Sequence, residues 1–122
     1  LCGHSISSVK ELREAAREIG DRFDVACVAK GGHLGGDEVV DVLFDEGEEH
    51  IFSAPRVLVE ESHGAGCAFS AALAAYLARG ELLKEAVAKA KAYVRGALHE
   101  AVKIGHHRPL NFFWKSAIKE QY

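Results

Sequence analysis

The sequence contains no methionine, two prolines and three cysteines, Cys2, Cys27 and Cys67. The cysteines are odd in number, widely spaced and form no C-x-x-C pair, which argues against a disulfide framework and a structural zinc site and leaves free thiols as the default. No apolar run approaches the ~18 residues of a membrane-spanning helix, and the N-terminus lacks the basic-then-apolar order of a signal peptide. The chain is therefore expected to be cytoplasmic, with no membrane partner. A net charge of −3 provides no general basic field, so nucleic acid is not an expected partner. There is no G-x-x-x-x-G-K-[ST], which excludes a P-loop, and Gly31-Gly32-His33-Leu34-Gly35-Gly36 does not match the dinucleotide-binding G-x-G-x-x-G. Internal repeats, low-complexity segments and Pro- or Ser-rich linkers are also lacking.

What is present is ordinary for a soluble globular protein: 122 residues, 48% hydrophobic and 27% charged, a length that suggests one domain. Ser8-Val9-Lys10-Glu11 has the S-x-x-E form of a capping box, and Val9, Leu12, Ala16 and Ile19 follow at helical spacing up to Gly20. Val25–Ala29 is a short apolar run without alternation, as in a strand covered on both faces. Glu38–Phe44 and Glu49–Ser53 read as a hairpin around Asp45-Glu46-Gly47-Glu48. Arg56–Glu60 is extended in pattern. A small polar loop, Ser62–Gly66, leads into a helix ending at Gly80, and a second helix is expected from Leu82 to Ile104. The aromatic tail from Pro109 to Trp114 is expected to pack down. This order is an α/β layer pattern. A buried strand with so few neighbours would leave a long sheet edge open; with the Met-less start at Leu1, this raises the expectation of a fragment.

Gly64-Ala65-Gly66-Cys67 is the chemically suggestive segment. Small residues running into a helix let backbone N–H groups converge on one spot, where the helix dipole favours negative charge. Such fixed donors suit the charge that spreads over a phosphoryl group during transfer. Cys67 falls in the first turn, where a thiolate is favoured and can act as a base. The same residues would equally serve as a Gly-rich turn before an Ala-rich helix, with Cys67 a small buried residue. His33, His63, His106 and His107 lack convergent spacing with carboxylates or thiols, so no metal site is expected among them.

Arg56-Val57-Leu58-Val59-Glu60-Glu61-Ser62-His63-Gly64-Ala65-Gly66-Cys67 resembles the R-x-x-T-x-x-T-H-G-T-G-C signature of hydroxymethylpyrimidine and phosphomethylpyrimidine kinases, where Cys replaces the Asp of most ribokinase-like enzymes. Val28–Leu34 is similar to that family's V-x-K-G-G-H-L, Asp41–Asp45 to D-V-L-Y-D, and Ala86–Val94 to A-V-x-x-A-K-x-Y-V, in the family's order and spacing. The resemblance implies a single partial domain over residues 1–122, the C-terminal half of a ribokinase-like (Rossmann-like three-layer) α/β fold with a β-hairpin and two C-terminal helices.

It also implies phosphorylation of hydroxymethylpyrimidine or its monophosphate by ATP in thiamin biosynthesis. Cys67 would be the base, Gly64, Ala65 and Gly66 the anion hole, Lys30 with Gly31 and Gly32 the phosphate-binding group, and Lys91 a neighbour of the nucleotide. Without the resemblance, Lys30 reads as a strand-end charge in solvent and Lys91 as a solvated helix face. Val59, Ser62 and Ala65 stand where the family usually has Thr; Ser62 keeps a hydroxyl, and the ones lost at Val59 and Ala65 each remove about 0.5–1.5 kcal/mol of possible hydrogen bonding.

Acidic residues that organise Mg²⁺, and the pyrimidine-binding loop, are expected in an N-terminal half without counterpart here. The full-length protein is expected to be a homo-oligomer, and this chain alone to turn over little. A pyridoxal-type kinase, a non-catalytic nucleotide-binding remnant and a Cys-nucleophile hydrolase are the alternatives, the last needing a His base for which only His63 is close in sequence.

Overall fold

Ser8 starts the first helix because its hydroxyl accepts a hydrogen bond from the Glu11 N–H at 3.2 Å, satisfying a donor that a helix start leaves without a partner. Glu11 answers by accepting from the N–H of Ser7 at 2.7 Å, which holds its carboxyl below the ordinary range. Helix α1, Val9–Phe23, buries Leu12, Ala15, Ala16 and Gly20 along one side. It passes through Gly20, where the sequence pattern stops it, and is closed by Asp24 in the left-handed region at φ 51. Gly20 serves packing rather than termination: a Cβ there would collide with the Phe44 ring.

The computed structural model describes residues 1–58, 63–101 and 108–117, in two compact units, Leu1–Arg56 and Val57–Tyr122. In the first unit, β1 (Cys27–Lys30), β2 (Glu38–Asp45) and β3 (Glu48–Pro55) follow α1. They form an antiparallel sheet in the order β1-β2-β3. The hairpin turn is where the sequence puts it, with Glu46 and Gly47 at φ 48 and 81, the positive pair that matches strand twist.

The fully covered strand is β2, not β1. Val25 is 52% exposed and Cys27, Val28 and Ala29 are half-buried, whereas Asp41, Val42, Leu43 and Phe44 are all buried. The reason is position: β2 has a neighbour on each side, and β1 is bonded on one side only among the described residues. Leu12 and Ala16 of α1 pack on Val42 and Phe44, with Ile6, Cys27, Ala29 and Leu34 around them. Arg13 grips Glu49 through two hydrogen bonds of 2.6 and 2.9 Å, joining α1 to β3.

In the second unit, α2 (Ala65–Ala78), α3 (Leu83–His99) and the short α4 (Trp114–Ala117) follow one another. Gly80, at φ 87, turns the chain between α2 and α3. Phe69 of α2 is buried, and α3 buries Ala86, Val87, Ala90, Val94 and Ala97. Helix α3 stops at His99, short of the expected Ile104, with Glu100 capping it; residues 102–107, including the turn expected at His106 and His107, lie outside the described residues. The tail does pack: Leu110 is buried, the Asn111 N–H donates to the Ala97 carbonyl at 3.0 Å, and Trp114 donates to the Tyr93 carbonyl at 3.1 Å. Phe112 and Phe113 remain exposed. Residues 56–58 form no strand, so the extended run expected at Arg56–Glu60 is not a strand over its described part.

No described helix is long and apolar enough to cross a membrane. Gly20→Ala is expected to lower stability by about 1–3 kcal/mol in urea unfolding, because overpacking against Phe44 exceeds the gain in helix propensity. Arg13 holds the Glu49 carboxyl below its ordinary value of 4.5, so their pairing stabilises the fold above that value and is lost as the pH falls through the lower folded-state value. Glu49→Gln should therefore reduce the unfolding midpoint at neutral pH and have no effect well below pH 4.5.

Candidate functional site

Lys30, Gly31 and Gly32 leave the carboxyl end of β1, directly across the sheet from Asp41. Asp41 has 0% exposure. Its Oδ2 accepts from Lys30 Nζ at 2.7 Å and its Oδ1 from the Gly31 N–H at 3.0 Å. Gly31 is itself buried, and a Cβ there would collide with the Val40 carbonyl oxygen, so only glycine lets the chain run this close to β2. Lys30 is thus not a plain solvent charge: its side chain is 39% exposed and tethered to a buried carboxylate.

The loop beyond is held from the other end of the hairpin. Arg56 donates to the carbonyls of Gly36 and Gly32 at 2.8 Å and of Gly35 at 3.2 Å, and its N–H donates to the Asp37 carbonyl at 2.8 Å. Five donors in a planar fork suit a guanidinium to several carbonyls at once. Sequence reasoning gave Arg56 no role beyond a place in the motif. The available signal was a Gly-rich loop whose carbonyls need donors, with an arginine just beyond the hairpin that follows it.

In the second unit, Gly64 is the N-cap of α2 at φ 89, with no side-chain capping bond. The first helical hydrogen bond runs from the Ala68 N–H to the Gly64 carbonyl at 2.8 Å, so the N–H groups of Ala65, Gly66 and Cys67 have no partner within the helix. A Cβ at Gly64 or Gly66 would meet nothing within 4 Å. Ala65 is half-buried and Cys67 exposed, which removes the reading of Cys67 as a small buried residue. Lys91 is half-buried on α3. Val59 and Ser62 lie outside the described residues.

The structure therefore places Lys30, Gly31 and Gly32 in the first unit and Gly64, Ala65, Gly66, Cys67 and Lys91 in the second. Among the described residues, no three His, Cys, Asp or Glu side chains are grouped to hold a metal ion. Those residues do not fit a Mg²⁺ site. At the α2 start the N–H groups of Ala65, Gly66 and Cys67 lack partners within the helix, the arrangement in which a helix N-terminus can receive an anion.

A family model described as phosphomethylpyrimidine kinase matches residues 1–111. The chain is 43% identical over 112 residues to a thiamine biosynthesis bifunctional protein of Geobacter sulfurreducens, covering 91% of this chain and 23% of that protein. It is 40% identical over 108 residues to a hydroxymethylpyrimidine/phosphomethylpyrimidine kinase of Streptomyces coelicolor, covering 86% of this chain and 39% of the relative. Among solved structures, a pyridoxal kinase from Staphylococcus aureus in complex with AMP-PCP and pyridoxal superposes with TM-score 0.86 at 32% identity, over 93% of this chain and 43% of that one. The chain thus spans less than half the length of each of these proteins.

Thiol reactivity separates the cysteines. Burial pushes the Cys27 thiol above its ordinary value, whereas Cys67 is exposed. Brief iodoacetamide treatment under native conditions is expected to label Cys67 well ahead of Cys27, measured by peptide mass spectrometry.

Proposed function

We propose, on the premise that this chain belongs to the phosphomethylpyrimidine kinase family, that the protein carrying it phosphorylates hydroxymethylpyrimidine or its monophosphate with ATP in thiamin biosynthesis. The observation that carries this reading is the start of α2: small residues, a left-handed Gly64 and an exposed Cys67 in the first turn. In this reading the N–H groups of Gly64, Ala65 and Gly66 hold the transferred phosphoryl group, and Cys67 takes the proton from the acceptor hydroxyl. Lys30 places positive charge on the nucleotide phosphates, Gly31 and Gly32 allow close backbone approach, and Lys91 lies beside the nucleotide. ATP supplies the phosphoryl group. The names of the Geobacter and Streptomyces relatives support the substrate class.

A second reading has a specific support. The likeness to pyridoxal kinases, with TM-score 0.86 and with a Bacillus subtilis pyridoxine kinase at 33% identity, favours a pyridoxal-type ring as the acceptor. Less than half of each relative's length is spanned, so the chain alone is expected to turn over little, since an anion site without an acceptor pocket provides only part of the transition-state stabilisation.

Assay of the full-length gene product on hydroxymethylpyrimidine, its monophosphate and pyridoxal separates the two readings. Cys67→Ala is expected to lower kcat by about 10²- to 10⁴-fold, the usual contribution of general base catalysis, with KM for ATP little changed. Wild-type turnover by that variant would remove Cys67 from the chemistry, and inactivity on all three acceptors would leave a non-catalytic remnant.

A further inference from the structure

We propose that Asp41 is a positioning residue, holding the Lys30 ammonium and the Gly31–Gly32 backbone in the geometry that receives a nucleotide phosphate. The inference rests on the reading of Lys30 as a phosphate contact. Asp41 is the one charged side chain that is buried among the described residues. It stands in the central strand beside Val42, Leu43 and Phe44, all buried and apolar. Removing a carboxylate from water is costly, and a well-packed apolar residue often serves stability at least as well. The position therefore calls for a role that an apolar side chain cannot fill.

Its two oxygens act on adjacent residues. One holds Lys30 Nζ at 2.7 Å, fixing the end of a four-carbon stem that would otherwise sample many rotamers. The other holds the Gly31 N–H at 3.0 Å, fixing the backbone where the strand becomes a loop. The carboxylate is fully buried while the lysine side chain is 39% exposed. A phosphate arriving there meets an ammonium already set in place, with less side-chain entropy left to lose.

Simple electrostatics predicts the opposite outcome for a charge-removing substitution. Taking away a negative charge near the site should tighten phosphate binding, whereas loss of positioning should weaken it. Asp41→Asn tests the sign: it is nearly isosteric and keeps an acceptor for the Gly31 N–H. In the full-length gene product, calorimetric titration with ADP and with adenosine should show ADP affinity falling about tenfold, the equivalent of about 1.4 kcal/mol, with adenosine affinity unchanged. In a Lys30→Met background, Asp41→Asn should have no further effect on the ratio of the two affinities.

If Lys30→Met weakens ADP binding while Asp41→Asn leaves it unchanged or tightens it, the inference fails and the phosphate-contact reading stands. If Lys30→Met has no effect, that reading fails and takes the inference with it. Equal loss for ADP and adenosine assigns Asp41 to stability and overturns the proposal. Should the Asn variant not fold by circular dichroism, Asp41→Ser replaces it, and failure of both to fold overturns the proposal likewise.

Discussion

A carboxylate at 0% exposure, 2.7 Å from a lysine ammonium on the neighbouring strand, constrains the whole first unit. Leaving the buried carboxylate uncompensated costs roughly 3–5 kcal/mol, so β1 and β2 must meet with Lys30 opposite Asp41. A slip of one residue would turn Asp41 toward the face where Leu12 and Ala16 pack on Val42 and Phe44, placing a charge among apolar side chains. The Glu46-Gly47 turn sets the register of β2 and β3 independently. With both registers set, the loop after Lys30 has a defined start, and Arg56 defines its far end by binding three of its carbonyls.

The second unit presents its candidate site by a different means. Its donors are backbone N–H groups, and their direction follows from the helix rather than from any side chain. Gly64 makes the entry turn possible at φ 89, a conformation costly for residues with a Cβ. The helix is steadied from behind: Phe69 is buried, α3 packs against α2, and α3 is in turn covered at Gly96 by Trp114, whose ring occupies the space a Cβ would need.

Local signals were the legible ones. The capping box at Ser8, the hairpin around Gly47 and the small-residue entry to α2 each depend on a few adjacent residues, and each is found where the sequence puts it. What escaped notice depends on partners distant in the chain. Gly20 looked like a helix stop because its actual reason, the Phe44 ring, lies in another element. Asp41 looked like one letter of a strand motif because its burial follows from the central place of β2, which alternation alone does not give. Arg56 looked like a motif residue because its acceptors are carbonyls of a loop on the far side of a hairpin, and the Gly-rich composition of that loop signals a need for donors without saying which residue supplies them.

The same distinction bears on the departures from the family's pattern. Where the signature that this segment resembles carries a Thr, this chain has Ala65, and the loss is confined to a hydroxyl worth about 0.5–1.5 kcal/mol. The N–H of Ala65 is a donor whatever its side chain, and the helix start that aims it is set by Gly64 and by the Ala68-to-Gly64 hydrogen bond of 2.8 Å. Ser70 keeps a hydroxyl in α2, but it donates to the Gly66 carbonyl at 3.2 Å and so does not replace the missing group at the helix mouth. A site made of backbone donors tolerates such exchanges in its side chains. A site made of a buried ion pair does not, and the proposed phosphate contact at Lys30 is of that second kind.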